Sequence, residues 1–235
     1  MKMNYAMFKS SFVKMAAAAM VLAVGFTACK DDEKVKPVDE AKVGVINLLE
    51  DVNKVNVHFS GKKINNAAVN AGAFSNYMSI KAANDNLIIF AEGKTDTLTK
   101  KKHDFKADQS FTAVVYGNEE EAHMEVFSDN LTAPANGKAK IRFANFAAGN
   151  EGLALFIGTA TTATIDDVDF KEAKGFVEVE AANDLTLKVR ANGSQTDLAT
   201  LANTNLQAGK IYTVYLSKEE VDGNDELVLR MITNK

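Results

Sequence analysis

The chain has 235 residues, of which 25% are charged, a formal net charge of −4, a single cysteine and no tryptophan. One cysteine excludes an internal disulfide framework. The acidic balance argues against nucleic acid as a partner, because proteins that bind nucleic acid neutralise its phosphates with Lys and Arg.

Residues 1–28 have the pattern of a secretory signal peptide. Lys2, Lys9 and Lys14 stand near the start without any acid, and an apolar run covers residues 15–26. This run is shorter than the roughly 20 residues that a membrane-spanning helix needs. Removing the leader takes away three positive charges, so the net charge falls from −4 to about −7. The mature chain is therefore expected to be exported and acidic.

Cys29 directly follows this leader, in the order Phe26-Thr27-Ala28-Cys29. The order resembles the lipid-attachment site of bacterial lipoproteins, although Leu is the usual residue where Phe26 stands. Acyl chains contribute roughly 0.8 kcal/mol per buried methylene, so two or three chains would hold a domain at a membrane. We therefore predict lipidation at Cys29. An ordinary secreted protein with an unrelated cysteine is the alternative.

The four residues after the cysteine are all charged: Lys30, Asp31, Asp32 and Glu33. They resemble the surface-export signal of lipoproteins from the Bacteroidota. The resemblance implies an outer-membrane protein that is lipid-anchored and faces the extracellular side. A polar tether on a periplasm-facing anchor is the alternative. In both interpretations residues 29–40 form a charged tether.

From Ala41 onward the chain repeats itself with displacements of about 98 to 101 residues. The matched blocks are Ala41–Asn47 with Ala139–Asn145, Ala82–Asp85 with Ala181–Asp184, and Phe111–Val114 with Tyr212–Tyr215. Each copy has about 90 residues, which is enough to bury a core of its own. The sequence therefore predicts one domain at 41–129, a linker at 130–138 that contains Pro134, and a second domain at 139–235.

The hydrophobic pattern of both copies is that of β-strands. Val55, Val57 and Phe59 alternate with polar residues, and Leu153, Leu155 and Ile157 occupy the matching positions. Alternate residues of a strand face the same side, so each triplet should lie against a core. Short strands separated by turn residues predict an all-β fold of two tandem immunoglobulin-like antiparallel β-sandwich domains, with about seven strands each.

The order of strand and turn residues resembles a bacterial extracytoplasmic family, the domain of unknown function 4397. The best match is Leu206–Val214, which reads Leu-Gln-Ala-Gly-Lys-Ile-Tyr-Thr-Val, and the weaker copy begins at Phe105. After Asn47 and Asn145 the chain lacks the proline-containing turn that is common in the family. The resemblance covers most of residues 41–216. It implies tandem immunoglobulin-like sandwiches on the cell surface and no catalytic residue.

No residues carry a pattern that predicts catalysis, a metal or a cofactor. His58, His103 and His123 lack the paired spacing of metal ligands. Three acidic clusters are predicted to be solvated turns, with weak calcium binding or paired catalytic carboxylates as alternatives. These clusters are Glu119-Glu120-Glu121, Asp166-Asp167 with Asp169, and Glu219-Glu220 with Asp222 and Asp225.

Two features bear on glycans. Carbohydrate sites depend on exposed aromatic faces, and this chain has no Trp and five Tyr, which weakens the case for a sugar site. Asp96-Thr97-Leu98 resembles the Asp-Thr-aliphatic acceptor for O-glycosylation in the Bacteroidota, so Thr97 is a predicted glycosylation site.

These observations predict a non-catalytic, surface-exposed outer-membrane lipoprotein that acts as a binding, adhesion or scaffolding module. Its predicted partners are the membrane, through acyl chains on Cys29, and an outer-membrane protein or a glycan. The alternative is a glycan-binding accessory lipoprotein of a polysaccharide-uptake complex. No cofactor is expected.

Overall fold

A computed structural model describes residues 39–221 and 223–235, and these residues form eighteen β-strands and no α-helix. They belong to one compact unit. In the ranges described, no helix is long and apolar enough to cross a bilayer. The predicted all-β fold class is confirmed.

Nine strands lie in each half of the described chain. The N-terminal sandwich, residues 39–129, contains β1 (Glu40–Leu49), β2 (Lys54–Phe59), β3 (Lys62–Lys63), β4 (Val69–Asn70), β5 (Met78–Lys81), β6 (Ala83–Ala91), β7 (Thr97–Phe105), β8 (Ser110–Gly117) and β9 (Ala122–Asp129). The C-terminal sandwich, residues 138–235, contains β10 (Lys138–Phe146), β11 (Leu153–Ile157), β12 (Ile165–Val168), β13 (Glu172–Ala173), β14 (Val177–Glu180), β15 (Ala182–Ala191), β16 (Ala199–Leu206), β17 (Ile211–Val221) and β18 (Asn224–Thr233). The count exceeds the expected seven partly because β3, β4 and β13 have two residues each.

Each sandwich has two sheets. In the N-terminal sandwich, sheet 1 has the order β5-β1-β8-β9 and sheet 2 the order β3-β2-β6-β7, with β4 also pairing β2. In the C-terminal sandwich, sheet 3 has the order β13-β10-β17-β18, with β14 also pairing β10, and sheet 4 the order β12-β11-β15-β16. Sheets 1 and 3 therefore share one topology, and so do the three long strands of sheets 2 and 4.

One pairing in each sandwich is parallel, which the sequence pattern did not indicate. The strand β1 pairs in parallel with β8, and β10 pairs in parallel with β17. The other pairings are antiparallel. The parallel pair arises because the loop before β8 lies beside the start of β1, where Asp108 N–H donates to the Glu40 carbonyl oxygen, so both strands run from the same end.

The alternating triplets predicted to face a core do so. Val55, Val57 and Phe59 are buried between sheets 1 and 2, and Leu153 and Leu155 are buried between sheets 3 and 4. Ile157 is only partly buried and packs at the border of the second core. Burying a side chain of this size contributes about 1.5–3 kcal/mol, so these positions stabilise each sandwich.

Sheets 1 and 3 are buried on both faces, because they also pack against each other. Their outward-facing residues form a third core with Ile46, Leu48, Val114, Tyr116, Ala144, Phe146 and Tyr215. The layers therefore follow the order sheet 2, sheet 1, sheet 3, sheet 4. Strands buried on both faces tend to be nearly continuous apolar runs, as residues 43–49 of β1 are apart from Asn47. β10 differs, because it buries Lys140, Arg142 and Asn145 as well as its apolar residues.

The two sandwiches are aligned in the same direction. Asp129, which pairs with the first residue of β8, contacts Arg142 near the start of β10, while Tyr116 near the end of β8 contacts Phe146 at the end of β10. One end of the molecule, here called the tether end, therefore holds the start of β1, the segment between β9 and β10, and the C-terminus. The opposite end, the turn end, holds the turns that follow β1, β6, β8, β10, β15 and β17.

Candidate functional site

The interface between the sandwiches contains a buried ion pair near the tether end. Arg142 Nη1 donates to Asp129 Oδ1 at 2.6 Å, and the two side chains are 3% and 0% exposed. Arg142 lies on the outward face of β10 because Ile141 and Phe143, its neighbours in the strand, point into the core between sheets 3 and 4. The guanidinium also lies over the Phe176 ring, 4.6 Å from its centroid.

Hydrogen bonds extend this pair into a network that joins both sandwiches. Arg142 Nε donates to Thr213 Oγ1 at 2.8 Å, and Thr213 Oγ1 donates to Asn234 Oδ1 at 2.7 Å. Asn234 Nδ2 donates to Tyr77 Oη at 3.0 Å, and Tyr77 Oη donates to Asp129 Oδ2 at 2.6 Å. The bonds therefore run in a closed ring back to the carboxylate that holds Arg142.

The electrostatics of the ring favour a neutral tyrosine. Burial raises the pKa of Tyr77 well above its ordinary value of 10.0, and the adjacent Asp129 charge raises it further. In the part of the chain described, no buried side-chain nitrogen or oxygen lacks a hydrogen-bond partner. With its donors and acceptors occupied, this network is suited to fixing the two sandwiches in register rather than to proton transfer or ligand binding.

Toward the turn end the interface becomes aromatic. The Tyr116 and Phe146 rings lie 5.2 Å apart, and Tyr215 Oη donates to the carbonyl oxygen of Gly72 at 2.7 Å. Burial and the charge of Glu125 raise the pKa of Tyr116 to about 12. Burial likewise raises the pKa of Tyr215 well above its ordinary value.

A cleft of about 280 Å³ opens where this interface reaches solvent. Arg230 Nε donates to Glu219 Oε1 at 2.8 Å inside it, and Ser217 Oγ donates to the same oxygen at 3.2 Å. The hydrogen bond from Arg230 lowers the pKa of Glu219. Since Arg230 and Glu219 are paired with each other, these two side chains offer few free contacts to a ligand.

Asp222 of the predicted acidic clusters lies outside the described residues; the other members lie at or near the turn end, where several of them contact other residues. Glu119 forms an ion pair with Lys94, and its backbone N–H donates to Asp51. Asp169 accepts the backbone N–H of Gly152, and Asp167 accepts from the Asn192 amide. Among the residues described, no three His, Cys, Asp or Glu side chains group as metal ligands would.

The histidines lie apart from one another. His58 packs against Phe90 on the solvent-facing side of sheet 2, with 4.5 Å between the ring centroids and an angle of 53° between the ring planes. His103 packs edge-on against Phe105 and Phe111, and burial lowers its pKa. His123 lies beside Tyr116. Each imidazole therefore has an aromatic neighbour.

The outer faces of sheets 2 and 4 differ in whether their charged side chains have ion-pair partners. The outer face of sheet 2 carries Asn56, His58, Lys63, Asn86, Ile88, Phe90, Lys100 and Lys102. The outer face of sheet 4 carries Ala154, Phe156, Lys188 and Arg190. On sheet 4, Arg190 covers the Phe156 ring at 4.7 Å and pairs with Asp197 at 2.5 Å, while Lys188 lies 3.8 Å from the same carboxylate.

Of the site residues predicted from sequence, only Thr97 lies within the described residues. Cys29 and the export residues Lys30, Asp31, Asp32 and Glu33 lie outside the described residues. Thr97 is exposed at the first position of β7, opposite Phe90 on the outer face of sheet 2. Glycosylation of Thr97 stays a prediction.

Sequence reasoning missed the role of Asn47 and Asn145, the last residues of the matched blocks. Both are fully buried, and each side-chain amide donates to two backbone carbonyls while its oxygen accepts the N–H two residues on. Each closes the turn after the first strand of its sandwich. The signal was present, since an asparagine ends the matched block at the same position in both copies.

The match to a protein family concerns the first half of the chain. Residues 41–155, slightly less than half of the sequence, match the family model described as a domain of unknown function (DUF4397). The match begins in β1 and ends in β11, and it supports the resemblance over that range. No curated protein matches the sequence significantly.

Solved structures give only weak likenesses. One from work on α-glucan binding by a streptococcal virulence factor is 10% identical, covers 80% of this chain and 96% of its own, and has a TM-score of 0.25. CBMbc (family CBM26) of Eubacterium rectale Amy13K in complex with maltoheptaose is 10% identical, with 79% and 95% covered and a TM-score of 0.25. A proposed cell adhesion protein from Bacteroides uniformis is 9% identical, with 83% and 98% covered and a TM-score of 0.27. Such scores support no argument about function.

Proposed function

We propose that the protein is a non-catalytic, surface-exposed outer-membrane lipoprotein that acts as a binding, adhesion or scaffolding module. In this proposal, acyl chains on Cys29 anchor it, Lys30 to Glu33 direct it to the extracellular side, and residues 29–40 form the tether. A glycan at Thr97 would modify an exposed edge strand.

The observation that carries the proposal is the alignment of the two sandwiches. Because β1, β8, β10 and β17 run in one direction, the tether joins one end of the molecule and the turns of both sandwiches lie at the other. The buried interface makes the pair one body, so both sets of turns can meet a partner together. Loops held on a rigid sandwich are a common arrangement for binding.

The charge of the turn end narrows the choice of partner. The described residues of the three acidic clusters lie there, in the β8–β9 turn, around β12, and in β17 and β18. Carboxylates repel phosphates, so this end is unsuited to nucleic acid or to an anionic lipid surface. A protein partner, such as an outer-membrane protein, fits better.

Anchoring is tested first by Cys29→Ala in intact cells. Removing the acylation site should release the protein from the membrane fraction, because no acyl chain would then hold the soluble sandwiches. Protease treatment of intact cells then reports the side on which the wild type is exposed. A Cys29→Ala protein that stays with the membrane would contradict lipid anchoring through this residue.

The binding surface is tested with thiol cross-linking of the native protein on cells. Glu120→Cys and Ala148→Cys each place a thiol at the turn end, and the matched control Ala135→Cys places one at the tether end; all three positions are exposed. Capture of one stoichiometric partner through the first two positions, and not through the control, is the expected result. Capture through Ala135→Cys alone would contradict binding at the turns.

A further inference from the structure

The outer face of sheet 2 carries unneutralised positive charge on an acidic chain. Lys63, His58, Ile88 and Lys100 are directly opposed across four strands, so they share one face. Neither Lys63 nor Lys100 has an ion-pair partner among the described residues, and Lys102 lies two positions beyond Lys100 on the same face. The carboxylates nearest this row are Asp85, which interacts with Lys102, and Asp104 near the end of β7.

The middle of this face is apolar and lies between side-chain amides. The Phe90 and His58 rings, 4.5 Å apart and both partly exposed, lie beside Ile88. Asn56 is directly opposite Phe90, and Asn86 is directly opposite Lys102. The face therefore combines a ring surface, amide hydrogen-bond groups and cations across β2, β6 and β7.

On the outer face of sheet 4, the aromatic ring is covered by another side chain. Phe156 on β11 is only 9% exposed, because the Arg190 guanidinium covers it and Asp197 holds Arg190. In sheet 2, His58 occupies the position that matches Phe156. Among the described residues, no arginine lies over the nearby Phe90 ring. Lys188 and Arg190 of sheet 4 are therefore paired with Asp197, whereas Lys63 and Lys100 of sheet 2 have no ion-pair partner among the described residues.

We propose that the outer face of sheet 2 binds an anionic polysaccharide, with carboxylate or sulfate groups on Lys63 and Lys100 and a sugar ring against Phe90 and His58. This inference rests on the proposed binding function and names a ligand class for a second surface. C–H groups of sugars pack on aromatic rings, and amides such as Asn56 and Asn86 hydrogen-bond to hydroxyls. Lysines supply the charge complementarity.

The sheet face suits a glycan better than an acidic peptide. Peptides that add to sheets do so at edges, where backbone N–H and C=O groups are free, whereas β2 and β6 have strand partners on both sides. The row is three strand spacings wide, which suits successive sugar rings rather than a single side chain in a pocket.

The test uses the full chain with Cys29→Ser, so that acyl chains do not contribute to binding. Affinity electrophoresis and biolayer interferometry would compare polygalacturonate with neutral dextran. We expect binding to polygalacturonate that weakens with added salt, because exposed charges are screened. Lys63→Glu with Lys100→Glu should weaken it about tenfold or more, since each reversal replaces an attraction by a repulsion.

A matched control removes the effect of net charge. Lys81→Glu with Lys210→Glu changes the charge by the same amount at two exposed positions away from this face, and should leave binding unchanged. Phe90→Ala should weaken binding without lowering the melting temperature strongly, because Phe90 is only partly buried.

The inference is overturned if polygalacturonate does not bind, or if both charge-reversed pairs weaken binding equally. It is also overturned if poly-glutamate or pure phosphatidylglycerol vesicles bind this face as tightly as the polysaccharide does. These outcomes are independent of the cross-linking at the turn end, so the binding-module proposal can stand when this one fails.

Discussion

The two ends of the interface between the sandwiches are built from different chemistry. The tether end is polar, with the Arg142–Asp129 pair and its hydrogen-bond ring, whereas the turn end is aromatic, with Tyr116, Phe146 and Tyr215. Apolar contacts are non-directional and stabilise many relative positions of two sheets, while a closed ring of hydrogen bonds is satisfied in one. The comparison suggests that the aromatic end supplies most of the free energy and the polar end sets the register.

The largest effect is expected at the polar end. Arg142→Ala leaves Asp129 buried with an unpaired charge, and removal of one partner of a buried pair costs about 3–5 kcal/mol. Urea unfolding measures this loss. The control is Lys94→Ala, which breaks the exposed Lys94–Glu119 pair and should cost less than about 1 kcal/mol. Equal losses in the two variants would show that the buried pair has no special role.

The aromatic end is probed with Phe146→Ala. A Phe to Ala change in a core costs about 3–5 kcal/mol, and we expect the lower part of that range because the surface cleft adjoins this end. The melting temperature should fall while the fold of each sandwich is kept. Phe90→Ala, at a partly exposed ring, is the control and should cost much less. Similar losses from both changes would argue against a packed interface.

Between the two ends, the backbone of β1 passes close to the Phe74 side chain at Gly44. A Cβ at this position would overlap the Phe74 ring, so Gly44→Ala should destabilise by about 1–3 kcal/mol through overpacking. Gly175→Ala is the matched control, since no atom lies within 4 Å of the added carbon. A thermal shift assay compares the two; a Gly44→Ala protein as stable as the control would show that Phe74 moves aside freely.

The smallest effect is expected from Tyr215→Phe, which removes the hydrogen bond to Gly72 and should cost about 1 kcal/mol near neutral pH. This effect also depends on pH. Burial raises the pKa of Tyr215 above its ordinary 10.0, so above that value the unfolded chain releases a proton that the folded protein keeps.

The protonated hydroxyl therefore contributes stability that is complete below about pH 10 and is lost as the pH rises toward the folded-state pKa. Between about pH 9 and pH 11 the wild type should lose more stability than Tyr215→Phe, and urea midpoints at both values measure the difference. Parallel losses in the two proteins would mean that Tyr215 titrates normally.

Much of the fold could be predicted from local pattern. The alternation of Val55, Val57 and Phe59 identified a core-facing strand, because the two-residue period of a strand is recorded in neighbouring residues. The parallel pairing of β1 with β8 could not be predicted in the same way, since the paired positions, such as Val43 and Phe111, are 68 residues apart and no local signal specifies the partner strand.

The candidate sites also divide into those that short sequence motifs indicate and those that depend on the tertiary structure. The positions of Cys29, the export residues and Thr97 follow from short motifs, which need no tertiary structure to be recognised. The sequence does not indicate whether Phe146 and Phe156 belong to the core or to the surface, and the structure buries Phe146 against Tyr116 and Phe156 under Arg190. An aromatic residue in a strand does not itself indicate which surface will cover it.

The sequence by itself determined the all-β class, the two similar halves, and the residues that face each sandwich core, because periodicity and turn residues are local properties. Only the tertiary structure decided that sheets 1 and 3 pack together, that Arg142 meets Asp129, and that the turns of both sandwiches share one end. Those outcomes depend on which surfaces meet. Complementarity between surfaces is a property of the assembled sheets and not of any one strand.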